Sequence, residues 1–392
     1  MRHELIAPCH FGLEACTKKE ILGLGLEILE VSDGKVVFAG DERAICRSNI
    51  FMRTTERILL KVCEFEAYSW EELFEKVYEV NWEDYLPWNG RFWVAKAASV
   101  NSRLCSPRDF QTIIQKAIVK RLQKAHGREG ARLPMDGPAY ALRVSAYKDR
   151  ITIGLDTSGD SLHKRGYRKF TVKAPITETL AAALIMLTPW NKDRILVDPF
   201  CGSGTFCIEA AMMAAGIAPG MERNFAATSW KNLIEKKLWY EAYDEARELK
   251  AEGLSALRGE TDIQGYDIDE EALKAARENA ALADERDLIH FQKRDVSQLS
   301  HPKKYGFLIT NPPYGERLEE KKDLPPIYRA LGERFAALDD WSLYLITAYE
   351  DAEKDIGRKA EKNRKIYNGM MKTYFYAFPG RKPPKSRDDM VQ

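Results

Sequence analysis

Two stretches of the chain carry residue types with an evident chemical use. The first is Asn311-Pro312-Pro313-Tyr314-Gly315, which follows a short apolar run from Phe307 to Thr310. The exocyclic amine of a nucleobase is a poor nucleophile, because its lone pair is delocalised into the ring. The Asn311 side-chain oxygen and the Pro312 carbonyl can accept the two N–H groups of such an amine. That draws the nitrogen towards tetrahedral geometry and aims its lone pair at an electrophile. The prolines stiffen the corner, and the first removes an internal donor. Tyr314 offers a ring on which a base taken out of its helix can stack. The amine acidifies as it is alkylated, so no strong general base is needed, and catalysis is mostly positioning and electrostatics. The plainer alternative is a rigid Pro-Pro turn after a strand.

The second stretch runs from Ile195 into Asp198-Pro199-Phe200-Cys201-Gly202-Ser203-Gly204-Thr205, followed by residues rich in Ala and Met. That order spells a strand, a glycine-rich turn and a helix N-terminus. Gly202 and Gly204 permit positive φ and close backbone approach of a ligand. The turn amides and the helix dipole suit the carboxylate of a zwitterion. The spacing departs from Gly-x-Gly-x-x-Gly, which disfavours a nicotinamide dinucleotide. Further along, the run Ile263–Asp267 ends in Asp267-Ile268-Asp269. An acid at that strand end accepts ribose hydroxyls, a role given to Asp267, while Asp269 is placed as the cap of a helix over 270–282. After the run Ile289–Lys293 comes Asp295, suited to accept from an adenine amine.

These groups need a scaffold. Apolar runs at 195–198, 263–267, 289–293, 307–310 and 342–347, alternating with helical stretches, predict a doubly wound α/β sheet, with a terminal hairpin over 366–369 and 373–378. A helix carrying Glu178 is expected over 177–187. Residues 217–259, with Trp230 and Trp239, read as a charged helical insertion. It is expected to form one wall of the site or to pack on the smaller domains. Before the catalytic region, residues 1–65 and 66–157 read as two small α+β units, the second boundary being open to a start near 44. The tail 381–392 is polar and expected to be disordered.

Candidate nucleic-acid contacts come from two places. Residues 161–173 hold five Lys or Arg and no acid, interleaved with Gly and aromatics, which suits phosphate contact and ring stacking by Lys164, Arg165, Tyr167 and Arg168. The helix opening at Ser106-Pro107 presents Lys116, Lys120 and Arg121 opposite its apolar stripe. In both cases the alternative is a solvated surface or linker.

Composition bounds the rest. The chain has 392 residues, 45% hydrophobic and 30% charged, with a net charge of +1. That fits a soluble multidomain protein without a global basic field. The seven cysteines form no Cys-x-x-Cys pair, which argues against a structural zinc site and for a reducing compartment. No apolar signal core or membrane-length run is present, so the cytoplasm is expected.

The ordered set Asp198 to Thr205, Asp267, Asp295 and Asn311-Pro-Pro-Tyr-Gly315 resembles the class I amino-methyltransferases. Ser161-Leu-His-Lys-Arg-Gly-Tyr-Arg168, Lys173-Ala-Pro175, and Pro219-Gly220, Arg223, Phe225 and Trp230 resemble the THUMP-domain RNA methyltransferases. Nearly the whole chain is similar to the RlmL-type bacterial enzymes that methylate guanine N2 in 23S ribosomal RNA. The resemblance implies a ferredoxin-like α+β domain (1–65), a THUMP domain for RNA (66–157) and a Rossmann-like seven-stranded methyltransferase domain (158–392). It implies S-adenosylmethionine as donor. The cofactor would be held by Asp198, Pro199, Phe200, Gly202, Ser203, Gly204, Thr205, Asp267, Ile268, Asp295, Val296 and Asn311, with Pro175 and Glu178 from the preceding helix. Asn311, Pro312, Pro313 and Tyr314 would be catalytic. No metal and no membrane partner is implied. The RNA is expected to be 23S rRNA, with tRNA open, since relatives modify both. Some relatives carry a second methyltransferase domain after the first; this chain ends without one, so a single activity is expected. Oligomeric state is left open, a monomer being favoured. The alternatives are an adenine-N6 methyltransferase, for which the Asn-Pro-Pro-Tyr chemistry is equally suited, and a catalytically silent RNA-binding assembly factor.

Overall fold

The computed structural model describes residues 2–170, 176–257, 261–315, 320–338, 340–369 and 371–384. The chain divides into two compact units: residues 1–9, 17–162 and 223–245, and residues 10–16, 163–222 and 246–392.

The strands of the first unit are β1 (His3–Pro8), β2 (Glu27–Ser32), β3 (Lys35–Gly40), β4 (Leu59–Glu66), β5 (Arg91–Val100), β6 (Ala139–Tyr147) and β7 (Arg150–Asp156). Its helices are most of α1 (Glu14–Gly23), from Thr17 onward, with α2 (Glu42–Phe51), α3 (Trp70–Glu79) and α4 (Pro107–Ala125). Local chemistry sets the boundaries. Ser69 and Ser106 cap α3 and α4 by accepting from the amides of Glu72 and Asp109. Lys148 and Asp149 take φ of +50° and +64°, a two-residue hairpin turn between β6 and β7. Residues 1–66 follow a β-α-β-β-α-β order, and their strands pair as β2-β3-β1-β4. The two small units expected from the sequence share one sheet of order β2-β3-β1-β4-β7-β6-β5. Their seam is antiparallel pairing of β4 with β7, from Leu59 opposite Asp156 to Glu66 opposite Arg150.

The insertion belongs in part to this unit. Trp230 stacks on Tyr140 of β6 at 4.7 Å and donates its indole N–H to the Ala139 carbonyl at 2.9 Å. Arg47 of α2 grips the Glu245 carboxylate with two bonds of 2.8 Å. Of the two expected uses of the insertion, packing on the smaller domains is the one these contacts serve.

The second unit contains α5 (Glu178–Met186), β8 (Leu196–Asp198), α6 (Thr205–Ala214), β9 (Ile263–Asp267), α8 (Glu270–Leu282), β10 (Ile289–Lys293), β11 (Phe307–Thr310), α9 (Leu324–Ala337), β12 (Ser342–Thr347), α10 (Ala352–Ile356), β13 (Lys362–Asn368) and β14 (Met371–Phe378); α7 (Lys236–Leu257) precedes β9 in the chain. The sheet order is β10-β9-β8-β11-β12-β14-β13, parallel from β10 to β12, with β14 antiparallel to both its neighbours.

Both sheet faces are covered. Leu196, Phe307, Ile309 and Ile346 enter one apolar layer with α5 and α6, while the intervening Val197, Leu308 and Leu345 enter another with α9. Strands apolar on both faces are what a sandwiched parallel sheet requires. Chain order and strand order reverse between β8 and β11, and in such sheets a crevice opens at the carboxyl ends of the flanking strands. Among the described residues, no helix is long and apolar enough to cross a membrane. Pro175 and residues 385–392 of the tail lie outside the described residues.

Candidate active site

The crevice at that reversal is a cavity of about 390 Å³. Two strands that meet it end in residues with hydrogen-bonding side chains, Asp198 closing β8 and Thr310 closing β11. The Thr310 hydroxyl donates to Asp198 Oδ1 at 2.5 Å, and the Phe200 amide donates to the same oxygen at 3.1 Å. Burial pushes the Asp198 carboxyl up to about 7, against the lowering effect of those two donors and with help from nearby Asp267.

The turn itself bends through Gly202 (φ +51°) and Gly204 (φ +85°), the latter serving as N-cap of α6. Gly202 lines the cavity, but Gly204 does not. A Cβ at Gly204 would stand 3.1 Å from both Ala276 and Phe291, so its bareness serves close packing against α8 and β10. Asp267, at the end of β9, accepts from the Gly202 amide with Oδ2 at 2.9 Å and from the Asp269 amide with Oδ1 at 3.0 Å. Each carboxylate oxygen keeps a further lone pair for a ligand. Burial raises the Asp267 pKa, and the backbone donors oppose it. Asp295 lines the cavity while accepting from the Ser297 amide at 2.8 Å, and hydrogen bonding to Ser297 lowers its pKa.

Asn311 follows Thr310 directly. Its Oδ1 is buried and has no hydrogen-bond partner among the described residues. Unsatisfied buried acceptors are costly and rare, and this one belongs to a cavity-lining side chain. The corner after it is braced from behind. Tyr328 of α9 donates to the Pro313 carbonyl at 3.1 Å, its oxygen lies 2.6 Å from that of Thr347, and Thr347 accepts from the Tyr349 amide at 3.0 Å. With the tyrosine proton committed to Pro313, the Thr347 hydroxyl donates to Tyr328.

The structure therefore brings together in one cavity Asp198, Pro199, Phe200, Gly202, Ser203, Thr205, Asp267, Ile268, Asp295, Val296, Asn311, Pro312, Pro313 and Tyr314. Sequence reasoning missed Ile176 and Ile327, two apolar walls that no local motif marks. It also missed Asn279 of α8, whose amide donates to the Ser203 carbonyl at 3.2 Å and whose oxygen accepts from the Lys169 and Phe170 amides.

The basic segment departs from expectation. Arg165 and Tyr167 are buried, and both reach Glu209 of α6, Arg165 at 3.3 Å and the Tyr167 hydroxyl at 3.1 Å. Arg168 pairs with Glu178 at 3.2 Å and donates to the Thr205 hydroxyl at 2.6 Å and the Ile176 carbonyl at 2.7 Å. Two carboxylates buried on α5 and α6 need cations beside them. These three side chains therefore buttress the glycine turn instead of facing RNA. Lys164 and Lys169 are exposed. Glu178 does not line the cavity; its carboxyl, raised by burial against the lowering effect of Arg168, holds that arginine in place. On α4, Lys120 is exposed and lies over the Phe74 ring at 5.6 Å, and Lys116 is exposed as well, whereas Arg121 is engaged with Glu83 at 3.0 Å and with Asn81.

Comparison with known proteins agrees with this architecture. A family profile for an RMKL-like methyltransferase domain matches residues 165–377, an RlmL ferredoxin-like domain matches 4–59, and a THUMP domain matches 67–156. YpsC of Bacillus subtilis (strain 168), named as an RNA methyltransferase, is 44% identical over 98% of both chains. A crystal structure described as a possible methylase from Clostridium difficile 630 superposes with a TM-score of 0.92, at 46% identity, covering 98% of this chain and 100% of that one. The structure of SMU.472, described as a methyltransferase complexed with SAH, gives a TM-score of 0.90 at 41% identity over 98% of this chain and 99% of that one. With its catalytic domain, its two leading domains and its full-length relatives all of one kind, the chain belongs to the RMKL-like methyltransferase family.

Proposed function

We propose that this protein is a cytoplasmic S-adenosylmethionine-dependent RNA methyltransferase that modifies the exocyclic N2 amine of a guanine in 23S ribosomal RNA. The observation that carries the reading is the buried Oδ1 of Asn311, unpartnered among the described residues, in the same cavity as the Gly202 bend.

The residues fit the cofactor. The glycine turn and the first amides of α6 suit its carboxylate, Asp267 keeps lone pairs for ribose hydroxyls, and Phe200, Ile268 and Val296 supply apolar walls beside Asp295 for an adenine. When bound, S-adenosylmethionine supplies an activated methyl group on a sulfonium. Asn311 Oδ1 accepts one N–H of the guanine amine, and the Pro312 carbonyl accepts the other. Tyr314 stacks on the base. The Tyr328 bond to Pro313 holds that corner still while the amine nitrogen is aligned. The work of the chain is orientation and charge placement rather than proton abstraction. The THUMP match and the RNA methyltransferase name of the Bacillus relative support RNA as the substrate class.

The test is nucleoside mass spectrometry of unmodified 23S rRNA and tRNA after incubation with purified protein and methyl-labelled cofactor. N2-methylguanosine in 23S rRNA is the expected product. N6-methyladenosine would overturn the base assignment, label in tRNA alone the RNA assignment, and no transfer to either the whole reading.

A further inference from the structure

The β13–β14 hairpin forms the last two strands of the catalytic sheet, with β13 at its edge. Strand alternation sorts its side chains. Ile366, Thr373 and Phe375 are buried on one face. The opposite face carries Lys365 and Tyr367 on β13, and Lys372 and Tyr374 on β14. The register sets Lys365 opposite Tyr374 and Tyr367 opposite Lys372. Cations and rings therefore alternate in both directions, like a two-by-two checkerboard. Each lysine lies over the tyrosine of its own strand, Lys365 5.2 Å from the Tyr367 ring centre and Lys372 5.1 Å from that of Tyr374. Lys365 and Lys372 are exposed, and Tyr367 is 40% exposed.

A lysine on an edge strand has an ordinary use, which is to discourage pairing with other strands. That use does not call for aromatic partners at each cation, and it would apply anywhere on the edge. Here the turn end of the hairpin reaches the Asn311–Tyr314 corner: Asn368, which closes β13 on the Ile366 face one residue beyond Tyr367, donates to the Tyr314 hydroxyl at 3.4 Å. Alternating lysine ammonium groups and ring faces match the alternating phosphates and bases of a single strand, where binding is tolerant of sequence.

We propose that this face of the hairpin holds the single-stranded RNA flanking the target nucleotide, with Lys365 and Lys372 against phosphates and Tyr367 and Tyr374 against adjacent bases. The inference rests on the RNA reading of the active site and adds to it the surface that delivers the strand. The hairpin meets Tyr314 at its Asn368 end, so the strand flanking a base extruded towards Asn311 would enter the patch at the Tyr367–Lys372 pair.

The test uses the full-length protein and a single-stranded RNA oligonucleotide. Affinity is followed by fluorescence anisotropy across a salt series, and KM and kcat for RNA are measured alongside. The double variant Lys365→Gln/Lys372→Gln is expected to bind RNA more weakly. Its slope of log affinity against log salt should be shallower by about 1.4, since each phosphate neutralised on a single strand adds about 0.7 to that slope. KM for RNA should rise more than kcat falls, and S-adenosylmethionine affinity should be unchanged. Tyr367→Leu should weaken binding without changing the salt slope. A double variant that keeps the wild-type slope and KM overturns the proposal, and so does one that aggregates while retaining the slope, since that is what edge protection alone would give. Wild-type protein that neither binds nor methylates RNA would overturn the underlying reading instead.

Discussion

Thr310 donates its hydroxyl to Asp198 at 2.5 Å, which fastens the strand that delivers Asn311 to the strand that delivers the glycine turn. Both side chains are buried. The residue proposed to hold the target amine and the turn proposed to hold the methyl donor are therefore registered by one hydrogen bond as well as by the β8–β11 ladder. Thr310→Val keeps the shape and removes the donor. Above pH 7, where Asp198 is charged, the cost should be about 1.5–3 kcal/mol, the range for bonds to charged groups.

The same carboxyl makes stability depend on pH. Folding raises its pKa from 3.8 to about 7. The folded state thus binds the proton more tightly than the unfolded chain, and its contribution to stability falls as pH rises from about 4 to about 7, then levels. Asp198→Asn should remove that slope. Denaturant midpoints of the wild type and both variants at pH 5 and pH 8 check these two expectations, and identical pH slopes for wild type and Asp198→Asn would contradict the second.

Asp267→Ala should act twice on cofactor binding. It removes the acceptor expected for the ribose, and it frees the Gly202 amide that Asp267 now holds at 2.9 Å. Affinity should weaken by at least about 1.5–3 kcal/mol, the typical value for one charge-assisted bond, in calorimetric titration with S-adenosylmethionine. Unchanged affinity would refute the ribose role.

The basic segment gives a stability test instead of an RNA test. Arg165→Met strands the fully buried Glu209 carboxylate without its cation. Breaking such a pair costs about 3–5 kcal/mol, visible as a large fall in thermal midpoint. Replacing both partners by apolar residues should recover much of that deficit. A variant as stable as wild type would return Arg165 to the RNA-facing role.

How much of this is legible in the sequence divides along a physical line. β9, β10, β11 and β12 begin and end where the sequence predicts; β11 and β12, buried on both faces, leave an unbroken hydrophobic record, whereas β9 and the edge strand β10 are marked by apolar residues alternating with polar or small ones. Asp269 and Ser106 are readable as caps because capping is local. The buttress is not. Whether Arg165 faces water or Glu209 depends on a carboxylate 44 residues away and on the alternation of an extended segment, and neither is visible in a tally of charges. The shared sheet of the leading domains is hidden for the same reason, since Leu59 pairs with Asp156 across nearly a hundred residues. Of the cavity, the residues that motifs mark are legible. Ile176 and Ile327, which only shape it, carry no signature.

Tyr328 braces the Asn311–Tyr314 corner from behind. Tyr328→Phe keeps the buried ring and removes the bond to Pro313. Because that bond orients the corner, kcat should fall by about tenfold, the factor that corresponds to a hydrogen bond of roughly 1.4 kcal/mol, while cofactor affinity holds. A proportional weakening of cofactor binding would instead indicate general disruption of the cavity. Thr347→Ser should retain activity, since the donor to Tyr328 remains.

Asn311 Oδ1, buried and unpartnered among the described residues, is proposed to be kept for an amine placed against an activated methyl. Single-turnover methyl transfer to 23S rRNA by Asn311→Ala, alongside calorimetric titration with S-adenosylmethionine, tests that role most directly. Transfer should fall by about 10²–10³, comparable to removal of one preorganised catalytic hydrogen bond, while cofactor affinity falls far less. Transfer by Asn311→Ala at the wild-type rate would contradict that role.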